Sequence, residues 1–330
     1  MTENRHTKQF LKEMQNLPLH RKIGITQARI IEWYKHFDGQ VYVSFSGGKD
    51  STVLLDIARK LFPDIEAVFV DTGLEYPEIR NFVKTFDNVT WLKPKMRFDE
   101  VVKKYGWNFP SKELALAVYY ARKGSRWAVN LFEGKNTDGT DSQFKKVRYV
   151  KWKFLLEAPF IISSECCKIM KENPLDSYGK ETNKKTIIGT LAEESQRRTD
   201  SWLKTGCNAF DSKKQHSTPI SFWTEQDILQ YIKIFNISYA SVYGDIIQSG
   251  NNLILTGEQR TGCIFCPVGC HLDKVNKFQR MAKTHPRQYD YCMKDIENGG
   301  LGLGKVLDFL KIDYKPIYDL FDYQKEIVNL

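Results

Sequence analysis

The run Ser46-Gly47-Gly48-Lys49-Asp50-Ser51 follows the strand-like Val41-Tyr42-Val43-Ser44-Phe45 and opens a segment, Ser51 to Leu61, in which Val53, Leu54, Ile57, Ala58 and Leu61 recur at helical spacing. A strand that turns through two glycines directly into a helix is half of a parallel β-α unit, and it commits the chain to an α/β layer. Gly47 and Gly48 lack a Cβ, so the backbone there can take left-handed angles and bring successive N–H groups against an anion. Ser46 and Ser51 add hydroxyl donors, Lys49 adds a mobile positive charge, and the positive end of the helix faces the same point. The loop reads as a phosphate cradle. The alternative is a serine-capped strand-to-helix turn with no ligand, a common use of the same residues.

The spacing is not that of a Walker A loop or of the dinucleotide fingerprint, so the loop belongs to a class of its own. Downstream, Ala67-Val68-Phe69-Val70 reads as a buried parallel strand, and Asp71-Thr72-Gly73-Leu74-Glu75-Tyr76-Pro77-Glu78 lies at its carboxyl end, where open α/β sheets place ligands. Asp71 is placed to accept hydrogen bonds from a sugar or base, and Gly73 lets backbone approach a ring; helix capping is the competing role for this stretch. The order of elements is a helix over 23–37, strand 41–45, helix 51–61, strand 67–70, helix 77–86 and strand 89–92, with further elements at 186–189 and 225–235. Residues 97–150 break this alternation. Trp107, Tyr119, Tyr120, Trp127, Phe132 and Phe144 are interleaved there with cations, which predicts an insertion holding a small aromatic core, with single-strand nucleic-acid binding the minority reading. The division expected is an N-terminal helical segment 1–38, an α/β domain 39–262 and a cysteine-containing, mainly helical region 263–330.

A net charge of +9 favours acidic partners, whether nucleotide, sulfate ester or nucleic acid, without choosing among them. No apolar run approaches the ~20 residues that span a bilayer, and Met1-Thr2-Glu3-Asn4-Arg5-His6 has no apolar core of a signal peptide, so no membrane partner and a cytoplasmic location are expected.

Seven cysteines in such a chain point to metal or redox chemistry rather than disulfides. Cys166 and Cys167 are adjacent; Cys263 and Cys266 form a C-x2-C, followed by Cys270 and His271. Thiolates gathered from two such segments suit a structural zinc or an iron–sulfur cluster, and the chemistry of the residues alone does not separate them.

Taken together these segments resemble a known family. The loop resembles the SGGxDS signature of the adenine-nucleotide alpha-hydrolase (PP-loop) superfamily, and Asp71 to Glu78 looks like the DTG-x-x-x-PE stretch of its phosphoadenosine phosphosulfate (PAPS) and adenylyl sulfate (APS) reductases. Cys166-Cys167-Lys168-Ile169-Met170-Lys171-Glu172-Asn173-Pro174-Leu175 is similar to the tandem-cysteine segment of the cluster-containing members, with Met170 in place of an Arg. Gly189 to Arg198 resembles the stretch whose arginines clamp phosphate or sulfate, with Leu191 where the first Arg stands and Arg197 and Arg198 retained; Pro219 to Ile228 looks like a scaffold helix. The resemblance implies a doubly wound, mostly parallel sheet of the alpha-hydrolase type, a bound adenine nucleotide (APS, PAPS or ATP, with Mg²⁺ if ATP), and a [4Fe-4S] cluster on Cys166, Cys167, Cys263 and Cys266, with zinc as the alternative and Cys270 and Cys207 in reserve. It also implies a nucleophilic Cys near the C-terminus. The sequence ends Tyr323 to Leu330 without one, which leaves Cys292, with Lys294 as activator.

The first functional reading is a PAPS/APS reductase-like enzyme using Lys49 and Cys292 and a thioredoxin-like reductant. The second is an ATP-dependent adenylating sulfurtransferase acting on nucleic acid, fed by a cysteine desulfurase, in which Asp50 orients Mg²⁺ or water instead of merely capping the helix. The third is a nucleotide-binding regulator without turnover.

Overall fold

The computed structural model describes residues 5–317, which divide into two compact units. Among the described residues the first comprises 5–95 and 171–264, the second 96–170 and 265–317.

The first unit is built on a five-stranded sheet: β1 (Val41–Ser44), β2 (Glu66–Val70), β3 (Val89–Leu92), β4 (Lys185–Ile188) and β5 (His216–Ser217), in the order β3-β2-β1-β4-β5. Every pairing is parallel, with Val43 of β1 opposite Ala67 of β2 on one side and Ile187 of β4 on the other. Val43, Ala67 and Ile187 are each fully buried, as expected of strands covered on both faces. The chain winds outward from β1 through β2 to β3 and then restarts on the opposite side with β4. That reversal makes the carboxyl end of β1 the switch point of a doubly wound sheet, the place where such sheets hold ligands. Helices Leu19–His36, Lys49–Leu61 and Glu225–Phe235 supply Ile30, Trp33, Val53, Leu54, Ile57, Ile228 and Tyr231 to the same core. An antiparallel hairpin, β6 (Ile246–Ser249) and β7 (Asn252–Leu255), completes the unit.

The second unit is helical apart from isolated bridges, with helices Phe98–Tyr105, Lys112–Arg122, Arg126–Phe132, Gln143–Tyr149, Lys277–Thr284, Pro286–Met293 and Leu303–Phe309 among its described residues.

This grouping differs from the division expected from sequence. The described part of the expected 1–38 segment, residues 5–38, is not separate: Trp33 lies in the sheet core, and Thr26 joins Trp223 Nε1 at 2.9 Å and the Pro219 carbonyl at 3.1 Å. The aromatic insertion runs on to residue 170 and forms one body with the C-terminal region. Rings explain that union: Phe98 meets Phe265 at 6.3 Å between centroids, Phe109 meets His271 at 5.5 Å, and Phe160 meets Phe309 at 5.4 Å.

Candidate functional site

The loop after β1 is a hydrogen-bonded knot. Gly47 has φ +70°, and a Cβ there would come within 2.7 Å of Val83 Cγ2, so only glycine fits. The Ser46 N–H donates to Ser51 Oγ at 3.2 Å, the Ser51 hydroxyl donates to the Gly48 carbonyl at 2.9 Å, and the Thr52 N–H and hydroxyl both reach that carbonyl at 3.0 Å. The helix Lys49–Leu61 therefore starts at the loop with its first turn fixed. The loop after β4 presses on the same turn, since a Cβ on Gly189 would lie 3.0 Å from Ser51 Cα.

Lys49 is 6% exposed and its Nζ stands 3.6 Å from Asp50 Oδ1 and 3.3 Å from Glu225 Oε1. Burial pulls the ammonium down, but Asp50, Tyr243 and Glu225 outweigh it, and the group is held above its ordinary value. Asp50 shows the opposite balance. Burial pushes its carboxyl up, Glu225 adds to this, and Lys49 and Arg198 offset it only in part. Its Oδ1 is buried without a hydrogen-bond partner. Arg198, on the helix Gln196–Thr205, is close enough to Asp50 to favour its charge and is ion-paired with Glu194; burial lowers the guanidinium. Arg197 on the same helix is exposed, as is the Arg198 side chain at 42%.

Two residues that no sequence signal marked close the loop. The Tyr243 hydroxyl accepts the Lys49 N–H at 3.1 Å from 194 positions away and shares a hydrogen bond with Thr261 at 2.6 Å. They carry no motif or period, and only the fold brings them to Lys49. The stretch after β2 is adjacent in topology. Asp71 is buried and held by the Arg80 guanidinium, Nη2 at 2.7 Å and Nε at 3.2 Å. The Thr72 hydroxyl donates to Glu75 at 2.7 Å, and Gly73, φ +73°, faces open space. An open cavity of about 440 Å³ lies elsewhere in this unit, between helix Glu225–Phe235 and the hairpin; its lining, which includes Gln226, Gln230 and Leu253, takes no residue from the loop.

Among the described residues no group of three or more His, Cys, Asp or Glu side chains is placed to hold a metal ion. The division of the chain falls between Cys263, in the first unit, and Cys266, in the second with Cys166 and Cys167. Cys207 and Cys270, the reserves, are buried; burial raises both thiols, Cys270 to about 12 with nearby Cys266 adding to it. Cys292 departs furthest from its expected role. It is 0% exposed on the helix Pro286–Met293, burial raises its thiol far above 9.0, and the cation that partly offsets this is Lys277, not Lys294. A thiol so placed neither meets a substrate nor ionises readily.

A family model, the phosphoadenosine phosphosulfate reductase domain, matches residues 40–275. The chain belongs to that family. Among its relatives, an uncharacterized protein of Methanocaldococcus jannaschii is 24% identical over 277 residues, covering 84% of this chain and 52% of the relative. A second from the same organism is 25% identical over 283 residues, covering 83% and 45%. The chain thus spans about half the length of these two relatives. An adenosine 5'-phosphosulfate reductase of Staphylococcus haemolyticus is 24% identical over 220 residues, covering 65% of this chain and 70% of the enzyme. Among solved structures, a phosphoadenylyl-sulfate reductase of Candida auris aligns at 16% identity over 76% of this chain and 99% of the other, with a TM-score of 0.38. Family membership agrees with the parallel sheet of the first unit and with the loop at its switch point. Among the described residues no helix is long and apolar enough to cross a membrane.

Proposed function

We propose that this protein binds the phosphates of an adenine nucleotide at Ser46–Ser51 and uses that nucleotide in sulfur chemistry. The observation that supports it most is the loop itself: a left-handed glycine and two serines at the switch point, with a buried lysine at the head of the following helix. Lys49 and Arg198 supply positive charge for the phosphates, with Arg197 on the same helix a weaker candidate, while the Ser46 and Ser51 hydroxyls and the loop amides supply donors. Such fixed groups stabilise charge developing at the α-phosphate without reorganising. An incoming phosphate takes Lys49 from Glu225, and Tyr243 releases or shares the Lys49 N–H. Asp71, Thr72 and Gly73 form the proposed adenosine side, with the Asp71 carboxylate steadied by Arg80.

An adenylyl-sulfate ligand, APS or PAPS, is the first reading: two electrons from a thioredoxin-like dithiol, which becomes a disulfide, reduce its sulfate group to sulfite, and AMP or adenosine 3',5'-bisphosphate leaves. The burial of Cys207, Cys270 and Cys292 favours a second reading, because among the described residues no accessible thiol outside the two cysteine pairs is offered to attack sulfate sulfur. In that reading ATP, with Mg²⁺, adenylates an acceptor such as nucleic acid with loss of pyrophosphate, and persulfide sulfur from a donor such as a cysteine desulfurase, reduced by two electrons from a thiol reductant, displaces AMP. The cysteine motif supports a [4Fe-4S] cluster, or zinc, held by Cys166, Cys167, Cys263 and Cys266. Iron and acid-labile sulfide analysis of anaerobically purified protein decides it; zinc without iron removes the cluster.

Calorimetric titration with ATP, APS and PAPS tests the binding site. One of the three is expected to bind, and Lys49→Ala to weaken it by about tenfold or more, the loss of one charge-assisted contact. If none binds, or if Lys49→Ala binds as tightly, the reading fails. Sulfite released from APS or PAPS with thioredoxin selects the reductase; pyrophosphate released from ATP and stimulated by nucleic acid selects the second.

A further inference from the structure

Residues 143–153 contain Lys145, Lys146, Arg148, Lys151 and Lys153 and no acid. They form the helix Gln143–Tyr149 and the start of the 3-10 turn Val150–Glu157, in the second unit. Tyr149 and Leu155 point inward, 5% and 0% exposed, whereas Phe144 and Val147 are 65% and 68% exposed. Phe144, Val147 and Arg148 recur at helical spacing within Gln143–Tyr149, so ring, methyls and guanidinium line one side of the helix, and Lys151 and Lys153, exposed in the 3-10 turn that follows, extend the run of cations. The Arg148 guanidinium lies 5.6 Å from the Phe144 ring centre. Glu113 and Asp141 pair with Arg148 and Lys146, at 2.8 and 2.7 Å, but all four side chains are largely exposed, and pairs of that kind hold weakly.

The same combination recurs on the helices packed beside it. Tyr120 and Trp127, 41% and 40% exposed, stand 5.8 Å apart, and Lys123 lies 4.2 Å over the Tyr119 ring. A purely apolar partner would strip water from this row of cations and leave them uncompensated, while a small anion would leave the rings in water. A strand of phosphates bearing unpaired bases satisfies both sets of groups, the phosphates by Lys and Arg and the bases by stacking. A duplex keeps its base faces stacked and offers the rings nothing.

We propose that the Gln143–Lys153 strip, centred on Phe144, binds single-stranded nucleic acid. This stands apart from the nucleotide loop and does not depend on it.

Fluorescence anisotropy of the full chain with dye-labelled single-stranded DNA and RNA oligonucleotides of about 20 residues, a matched duplex and heparin as competitor tests the proposal. Single strands are expected to bind more tightly than duplex, and Phe144→Ala to weaken them about tenfold while leaving adenine-nucleotide binding unchanged. Lys151→Ala with Lys153→Ala should lower the slope of log affinity against log salt by about 1.4, two phosphates at about 0.7 each. Phe144→Trp keeps a stacking face and should bind as wild type, whereas Phe144→Leu, equally apolar, should not; this pair separates stacking from any general loss of folding. Three results overturn the proposal: no binding of single strands, equal binding of duplex and heparin with all Phe144 variants alike, or Phe144→Ala abolishing only a self-association seen by sedimentation.

Discussion

At the scale of single residues, Gly47 and Asp50 carry the tension of the loop. Gly47→Ala combines a left-handed backbone with a 2.7 Å approach to Val83, and should cost about 1–3 kcal/mol, read as a lower urea midpoint with unchanged slope. Asp50 is raised on folding from 3.8, so between its unfolded and folded pKa the native state holds the proton that the unfolded chain has lost. Stability conferred by the neutral acid is therefore lost as pH climbs through that window, and above it the buried charge weighs in full. Asp50→Asn should match wild type in urea unfolding at pH below 3.8 and become the more stable protein as pH rises beyond the window. A wild type that gains on the variant over the same range would contradict the assignment.

At the scale of elements, the helix Glu225–Phe235 is fastened by one carboxylate. Asp227 accepts the Thr224 N–H and hydroxyl, both at 2.7 Å, in a capping box, and receives the Lys22 ammonium, itself 1% exposed, at 2.5 Å. Asp227→Ala leaves an uncompensated buried cation and should destabilise by about 3–5 kcal/mol; adding Lys22→Met should restore most of it, as removal of a whole buried pair is far milder than removal of half. Chemical denaturation of the single and double variants checks both. Glu225 begins this helix and meets Lys49, so weakening the element should also loosen the loop's lysine.

At the scale of the whole molecule, the seven thiols sort by burial. Cys207, Cys270 and Cys292 are buried, and a water-soluble thiol reagent should label them only after unfolding; mass mapping that finds Cys292 modified in the native protein would restore it as a nucleophile. The fold was legible wherever residues adjacent in sequence also act together. The strands at 41–44 and 89–92 and the helix 225–235 follow from local apolar patterns and caps, and the Ser46–Ser51 turn from its glycines. The hairpin at 246–255 and the helices within 97–150 were not foreseen. Ile247 and Ile254 of the hairpin lie on its exposed side, so its pattern lacks a clean apolar face, and in the insertion aromatic and charged residues alternate too irregularly to show a period.

The chain's sequence, by itself, determined the β-loop-helix unit and its family, because the torsions of Gly47, the serine hydroxyls and the apolar period of the following helix are properties of neighbouring residues. Only the tertiary structure decided what surrounds that unit. Tyr243 arrives at Lys49 from far along the chain and is met there by Thr261, Cys292 disappears into a helical core, and residues 97–150 join the C-terminal region through ring contacts. Each of these is a packing contact between distant segments, set by which surfaces fit together once water is excluded, and such contacts leave no period or spacing in the sequence to read.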